Sequence, residues 1–204
     1  MINSAACRMR RLRLTLAVPL GLALTAASPA PAFEVTDSAG VVHKLSDYRG
    51  KVIILEWMNP YCDANGKYYN SKKLPKLQAK WNDDKIIWLM INSYQPDQEG
   101  NVSANVARYL LMSTGAKVDG FVSDSSGELA KAYNVDQVPL AVIIDDGGNL
   151  AYRSSFDDHE GGDPAGLLEA PSHIDDVLTS LAKGEVPTKS GSKPNGCPFT
   201  GKAP

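Results

Sequence analysis

The chain has few cysteines and no apolar run long enough to cross a bilayer. Three cysteines in 204 residues are too few for a small disulfide-rich scaffold, so a hydrophobic core has to stabilise the fold. The main apolar run covers residues 14–27 and falls short of the roughly 20 residues that a spanning helix needs. Hydrophobic residues make up 43% and charged residues 22%, the proportions of a soluble globular protein and not of a disordered chain.

Basic residues are also scarce once the first segment is set aside. Residues 1–32 carry four arginines and no acidic residue, which leaves 17 basic against 23 acidic residues and a net charge of −6 over the rest. A negative surface of this kind does not attract nucleic acid or anionic lipid. We therefore expect neither nucleic acid nor a membrane as a partner after that segment is removed.

The first 32 residues have the organisation of a secretory signal peptide. Arginines at positions 8–13 precede the apolar run, and Ala30-Pro31-Ala32 matches an A-x-A cleavage site. Cleavage after Ala32 predicts a periplasmic or secreted protein; the alternative is an uncleaved anchor, for which the apolar run is short. Cys7 would leave with the signal peptide, so the exported chain would hold two cysteines, Cys62 and Cys197.

The hydrophobic pattern predicts one α/β domain over residues 33–183, followed by a tail at 184–204. β-branched runs at Val52–Trp57 and Ile86–Ile91 are typical of buried parallel strands in a central mixed sheet flanked by helices. The other expected elements are an N-terminal β-hairpin at 33–44, a second hairpin at 139–153, helices at 63–81 with a break near 70–71, at 103–114, 129–133 and 172–183, and a short strand at 121–123.

Several local signals refine these elements. Ser103 is expected to cap its helix, and Ser125–Glu128 matches a capping box. Residues 157–170 read as an acidic loop, in which His159 and its acidic neighbours could be drawn as a metal site but fit a solvated loop better. The tail is rich in Gly, Pro, Ser and Lys, so we expect it to be irregular and mobile.

Cys62 follows the strand Val52–Trp57 by a short loop and precedes a predicted helix. Unpaired backbone N–H groups at a helix start stabilise a thiolate, which makes a nucleophile of the cysteine. The alternative interpretation is a buried apolar cysteine, the usual fate of this residue type. The position of Cys62 in a loop after a strand favours a reactive cysteine, although the adjacent Asp63 should raise the pKa of the thiol and oppose thiolate formation.

At this point the sequence resembles a known family. The ordered set of segments resembles thioredoxin-like redoxins of the alkyl hydroperoxide reductase/thiol-specific antioxidant superfamily, in particular its exported peroxiredoxin-like branch, from about Phe33 to Cys197. The resemblance implies a thioredoxin-like fold. The segments that carry it are Leu55–Cys62 (LEWMNPYC), Ile87–Ser93 (IWLMINS), Ala132–Val135 (AYNV), Val138-Pro139, Tyr152-Arg153 with Asp157-Asp158 and Asp163-Pro164, and Gly196-Cys197.

The resemblance also implies roles for individual residues. It places a cis peptide bond at Val138-Pro139, where the backbone would receive an extended substrate beside the cysteine; without the resemblance, the favoured alternative is a trans proline that opens a strand. It makes Glu56 a buried acid of raised pKa that relays protons; the alternative is a glutamate that reaches water or pairs with a lysine. From its place in a predicted core strand, Trp57 is interpreted as core packing that could also wall the cysteine site, and Asn59 could donate a hydrogen bond to a bound substrate.

The chain departs from the family pattern around Cys62. Asn65 stands where thioredoxin has its second cysteine, so a local dithiol cycle is impossible. Peroxiredoxins have Thr or Ser three residues before the reactive cysteine, where this chain has Asn59, and Pro seven residues before it, where this chain has Leu55. The exported branch usually has Pro directly after its cysteine, where this chain has Asp63. These departures put peroxidase activity in doubt.

Two hypotheses about function follow. In the first, the protein is an exported thiol-disulfide oxidoreductase or peroxiredoxin-like antioxidant protein: Cys62 is the nucleophile, Cys197 resolves, and the partner is a thiol or disulfide protein or a small peroxide. In the second, a non-catalytic binding or scaffold module carries a permanent Cys62–Cys197 disulfide. The sequence has no phosphate-binding glycine loop and no Rossmann fingerprint, so we expect no organic cofactor.

Overall fold

The fold centres on a five-stranded mixed sheet, seen in a computed structural model that describes residues 28–159, 163–188, 191 and 196–199. The strands are β1 (Glu34–Thr36), β2 (Val42–Lys44), β3 (Val52–Trp57), β4 (Ile86–Asn92), β5 (Gly120–Ser123), β6 (Gln137–Val138), β7 (Leu140–Ile144), β8 (Leu150–Ser154) and β9 (Cys197–Pro198). The helices are α1 (Asp63–Asn70), α2 (Lys73–Lys80), α3 (Ala104–Thr114), α4 (Glu128–Ala132), α5 (Pro164–Glu169) and α6 (His173–Ala182), with a 3₁₀ turn at Leu45–Tyr48.

The order of strands in the central sheet is β5-β4-β3-β7-β8. Strands β3, β4 and β5 are parallel, whereas β7 is antiparallel to β3 and β8 to β7. The parallel strands are joined by crossovers that contain helices, as parallel pairing requires. This arrangement confirms the predicted thioredoxin-like α/β fold, and the β1–β2 pair confirms the predicted N-terminal hairpin.

Both faces of the sheet are covered by packed side chains, and successive residues of each strand point to opposite faces. On β3, Leu55 and Trp57 pack in one cluster, which also contains Cys62. Ile54 and the following Met58 pack in the other cluster, with residues of α1, α2 and α6. The prediction that this apolar run forms a strand buried on both faces is therefore confirmed. Side chains of adjacent residues on β3 belong to different clusters.

The helix boundaries agree with most of the local signals. The predicted break after Asn70 is present, and Lys72 adopts a left-handed conformation there, with φ 62°. Pro75 lies in the first turn of α2, where no N–H is needed for the helix. Ser103 caps α3 through its side chain, as predicted, and Ser172 caps α6 in the same way.

Two expectations were wrong in detail. The cap of α4 is not the box at Ser125–Glu128: the Asp124 carboxylate accepts from the N–H groups of Leu129 and Ala130 at 3.2 and 3.0 Å. The predicted acidic loop contains α5, which Asp163 caps. The described part of the tail is irregular apart from Cys197–Pro198, which form a two-residue strand because β6 offers them a partner.

The described chain begins inside the predicted signal peptide, whose residues 1–27 lie outside the described residues. Ser28 and Ala30 bond to the β7–β8 hairpin: Leu150 N–H donates to Ser28 O at 2.8 Å, and Ala30 N–H donates to Gly148 O at 3.0 Å. Tyr133 donates its hydroxyl to Pro31 O at 2.6 Å. Cleavage after Ala32, which stays a prediction, would remove these contacts. Within the described ranges, no helix combines the length and apolarity needed to cross a bilayer.

The centre of the sheet generates a stability prediction. Leu89 is fully buried on β4, opposite Leu55 of β3. Replacing Leu89→Ala should lower the free energy of unfolding by about 2–5 kcal/mol, since it leaves a cavity in a packed core. Urea unfolding of the oxidised protein measures this loss. The exposed control Val186→Ala should change stability by less than about 0.5 kcal/mol, and equal effects of the two substitutions would contradict the core assignment.

Candidate active site

Cys62 lies at the start of α1, where the sequence predicted it. It is the N-cap residue: its carbonyl oxygen accepts from Asn65 N–H at 2.9 Å and Gly66 N–H at 2.8 Å, while its side chain makes no capping bond. Its own N–H donates to Asn59 O at 3.2 Å, which closes the loop after β3. Only 1% of the residue is exposed. The sulfur therefore lies at the positive end of a helix dipole, in a protected position.

A disulfide joins Cys62 to Cys197, with the two Cα atoms 6.0 Å apart. The bond connects residues 135 positions apart, from the loop after β3 to the last described part of the chain. The structure thus brings together the two cysteines that the sequence analysis selected as nucleophile and resolving partner.

The tail reaches Cys62 as a short strand on β6. Val138 pairs with Cys197 and Gln137 with Pro198 in antiparallel register. The Val138–Pro139 peptide bond is cis, as the resemblance implies. The Cys62 sulfur lies 4.0 Å from Val138 O. Both predicted docking residues are consequently next to the disulfide, and the backbone of β6 is occupied by the chain's own tail.

Two asparagines organise the loop that carries Cys62. Asn59 N–H donates to Asn65 Oδ1 at 2.6 Å, and Tyr61 N–H donates to Asn59 Oδ1 at 2.9 Å. Asn65 is 1% exposed, and its Nδ2 has no hydrogen-bond partner among the described residues. Asn59 also bonds to the side chain of Tyr94, which links the loop to the segment after β4. In this oxidised state, Asn59 holds the loop rather than presenting its amide to a substrate.

Trp57 is fully buried beneath the site. Its indole Nε1–H donates to Ser93 Oγ at 3.0 Å, and Ser93 Oγ donates to Asp124 Oδ2 at 2.6 Å. Its ring packs against Tyr133 at a centroid distance of 6.0 Å. Trp57 has no exposed surface that could contact a substrate in this structure, and it packs beneath the site as a core residue.

Glu56 lies in the cluster on the other face of the sheet. Its carboxylate accepts from the Tyr69 hydroxyl, from Gln78 Nε2 at 3.0 Å and from Trp88 Nε1 at 2.8 Å. Burial raises the pKa of Glu56 to about 7, although the three hydrogen bonds act in the opposite direction. The alternative of a glutamate that reaches water is wrong, since the residue is fully buried. Among the described residues, none of its hydrogen bonds reaches either cysteine.

The acidic segment after β8 is tied to the helices. Lys73 Nζ lies 2.5 Å from Asp157 Oδ2, and the Tyr68 hydroxyl donates to Asp157 Oδ1 at 2.8 Å. His159 Nε2 lies 3.5 Å from Asp163 Oδ1. Across the ranges that the structure describes, no three of its His, Cys, Asp and Glu residues form a group that could hold a metal ion.

Sequence reasoning missed Tyr94 and Gln98, which hold the tail. The Tyr94 hydroxyl donates to Pro198 O at 3.4 Å, and Gln98 Nε2 donates to Phe199 O at 3.1 Å. The rings of Tyr94 and Phe199 meet edge to face at a centroid distance of 5.4 Å. The available signal was an aromatic residue two positions after a buried strand, together with a second aromatic residue two positions after the tail cysteine.

The buried carboxyl of Glu56 generates a prediction about pH. A raised folded-state pKa means that the folded protein binds the proton more tightly than the unfolded chain. The resulting stability is therefore complete below about pH 4.5 and is lost as pH rises through about 7. Between pH 5 and 8, we expect the wild-type protein to lose about 2–3 kcal/mol through this group.

Urea unfolding of the oxidised protein at both pH values measures the effect. Glu56→Gln should flatten the pH dependence because an amide does not titrate. The exposed control Glu185→Gln should keep the wild-type slope. Parallel slopes for wild type and Glu56→Gln would show that Glu56 does not titrate in this range.

Comparison with known proteins agrees with this geometry. The chain is 30% identical over 132 residues to the thiol-disulfide oxidoreductase ResA of Geobacillus kaustophilus, a match that covers 63% of this chain and 68% of the relative. A ResA from Geobacillus thermodenitrificans is 28% identical over the same coverage.

Solved structures share the fold at lower identity. A hypothetical protein from Sinorhizobium meliloti superposes with a TM-score of 0.73 at 18% identity, covering 89% of this chain and 97% of the other. A putative thiol:disulfide interchange protein DsbE from Chlorobium tepidum gives 0.55 at 22% identity, covering 76% and 96%. The Redoxin family model matches residues 25–170, which is more than half of the sequence. The chain therefore belongs to the Redoxin family.

Proposed function

We propose that this protein is a thiol-disulfide oxidoreductase in which Cys62 is the nucleophile and Cys197 the resolving cysteine. The observation that carries the proposal is the Cys62–Cys197 disulfide beside Val138, with Cys197 paired to the backbone of β6. Similarity to a thiol-disulfide oxidoreductase supports it. Its partners are proteins that carry thiols or disulfides, in the periplasm or outside the cell.

The half of the cycle that oxidises this protein has two exchange steps, and a partner dithiol reverses them to regenerate the reduced protein. In the reduced protein, the Cys62 thiolate attacks one sulfur of a partner disulfide; a bond forms between Cys62 and that sulfur, and the second partner sulfur leaves as a thiolate that takes a proton from water. The Cys197 thiolate then attacks the Cys62 sulfur, the Cys62–Cys197 bond forms, and the first partner sulfur leaves. One partner disulfide is reduced by two electrons, and the protein dithiol is oxidised.

The start of α1 favours the first step. Asn65 and Gly66 N–H already bond to the Cys62 carbonyl oxygen, so the N–H groups of Asp63 and Ala64 are the ones that face the capping position without an intrahelical partner. Those dipoles stabilise negative charge on a sulfur at that position. The carboxylate of Asp63 acts against this effect, which its exposure to solvent weakens.

Proton transfer in this cycle does not depend on contact with Glu56. Its carboxylate is held by Tyr69, Gln78 and Trp88 on the face opposite Cys62, and the exchange steps above are written with water as proton donor and acceptor. The relay through Glu56 that the resemblance implies stays a prediction, as does the use of a peroxide as oxidant.

The second hypothesis, a non-catalytic module with a permanent bridge, is favoured by one observation. Cys62 is 1% exposed, and the tail covers the bond through paired backbone and an aromatic contact. A protected disulfide of this kind is typical of a structural staple. The redox behaviour of the bond therefore decides between the two hypotheses.

Substitution of each cysteine separates the two steps. All proteins carry Cys7→Ser, so that Cys62 and Cys197 are the only thiols, and Cys7→Ser alone is the control. With insulin as disulfide substrate and a dithiol as electron source, Cys62→Ser should lose turnover above background because the nucleophile is absent. In a second reaction without the dithiol, which would itself reduce a mixed disulfide, pre-reduced Cys197→Ser should attack insulin and accumulate the mixed disulfide, which mass spectrometry detects, because the second step is lost.

Equilibration of the control in graded dithiol buffers completes the test. A bond that opens above about −300 mV agrees with a catalytic pair, whereas one that resists more reducing conditions is a staple. Full turnover by Cys62→Ser would remove Cys62 from the mechanism.

A further inference from the structure

We propose that the groove that holds the tail selects partner segments of the form Gly-Cys-x-aromatic, and that Tyr94 determines the preference for an aromatic residue. The inference rests on the proposed function and names the class of partner. The chain's own segment Gly196–Phe199 (GCPF) serves as the template, since its cysteine is bonded to Cys62 and its backbone is paired with β6.

The backbone register fixes which residue of a bound segment reaches which part of the groove. Cys197 lies opposite Val138, and two positions later Phe199 N–H donates to Asp136 O at 3.0 Å. Main-chain hydrogen bonds of this type are independent of sequence and hold any extended segment in one register. A partner cysteine bonded to Cys62 would therefore bring its preceding residue to the Gly196 position and its second following residue to the Phe199 position.

The position before the cysteine accepts only glycine. A Cβ built on Gly196 would overlap Val138 O and would lie 3.0 Å from Pro139 Cδ. Both obstacles belong to the rigid strand end and not to a flexible side chain, so they cannot move aside. Any larger residue would have to shift the bound backbone away from β6 and weaken the pairing next to the reacting sulfur.

The second position after the cysteine lies in an aromatic clamp. The Phe199 ring meets Tyr94 edge to face with an interplanar angle of 87°, a favourable geometry for aromatic pairs. Gln98 holds the Phe199 carbonyl, and the Tyr94 hydroxyl holds the carbonyl of the intervening Pro198. The side chain of Pro198 itself is exposed, so the middle position carries no requirement.

A cavity of about 270 Å³ adjoins the clamp, with Gln98 and Phe199 in its wall. Ala130 and Val135 form apolar parts of its wall, and Lys131 and Asp136 contribute charged side chains. A larger aromatic side chain can extend into this space, whereas a small one leaves the clamp unfilled. We therefore expect tyrosine and tryptophan to be accepted at this position alongside phenylalanine.

A panel of short peptides tests the preference. The protein is the full chain with Cys7→Ser and Cys197→Ser, so that Cys62 is the sole thiol. Each peptide presents its cysteine as a mixed disulfide with thionitrobenzoate; attack of Cys62 on the peptide sulfur releases the coloured thiol, whose appearance gives the rate. The peptides contain Gly-Cys-Pro-Phe, Gly-Cys-Pro-Trp, Gly-Cys-Pro-Ala or Ala-Cys-Pro-Phe.

We expect the two aromatic peptides to react roughly tenfold faster than the peptide that ends in alanine. The peptide with alanine before cysteine should also be slower by roughly tenfold or more. Tyr94→Ala should reduce the ratio of phenylalanine to alanine rates to about one, and Tyr94→Phe should restore most of it because the ring is retained. Tyr109→Ala, on the exposed side of α3, should leave the ratio unchanged.

The outcomes separate this inference from the proposed function. Equal rates for all peptides, or an unchanged ratio in Tyr94→Ala, would overturn the inference while Cys62 still exchanges disulfides. Failure of Cys62 to react with every peptide and with the small reagent bis(thionitrobenzoate) would overturn the proposed function as well. A dimer of the single-thiol protein that persists under reducing conditions in size-exclusion chromatography and is lost on Phe199→Ala would show that the groove takes the tail of a second copy, which also contradicts the inference.

Discussion

The bond between Cys62 and Cys197 determines what the rest of the site can do. It holds the tail cysteine against Val138, and the tail in turn places Phe199 on Tyr94. Two residues of strand pairing are far too few to be stable by themselves. The covalent link, the ladder and the aromatic contact therefore form one unit, in which each contact depends on the others.

The central sheet divides the buried polar groups between its two faces. Below Cys62, the chain of hydrogen bonds from Trp57 through Ser93 to Asp124 ends on the first amides of α4. On the other face, Glu56 takes three donors from α1, α2 and β4. The first network fixes the floor of the site, and the second anchors to the sheet both α1, which begins at Cys62, and α2. A buried polar network with all its members satisfied stabilises a single arrangement of the core.

Much of this could be predicted from local signals. The β-branched run before Cys62 and the serine before α3 act over a few residues, so the strand, the cysteine position and the cap followed from sequence. Alternation along β3 also contained the information that Glu56 faces away from Leu55 and Trp57. The predicted cap of α4 was wrong because the carboxylate of Asp124 accepts from two backbone amides more strongly than a serine hydroxyl does. The pairing of the tail with β6 joins residues almost 60 positions apart, and no local pattern reports it.

The length of chain enclosed by the disulfide has a consequence for electron transfer. A crosslink over 135 positions restricts the unfolded chain strongly, by about 5 kcal/mol in the chain-entropy model. In a thermodynamic cycle, the free energy by which the disulfide stabilises the folded state equals the free energy by which folding stabilises the disulfide. The native architecture thus draws its two sulfurs together and lowers their reduction potential relative to the same pair in an unfolded chain, so the architecture itself makes the dithiol a stronger electron donor.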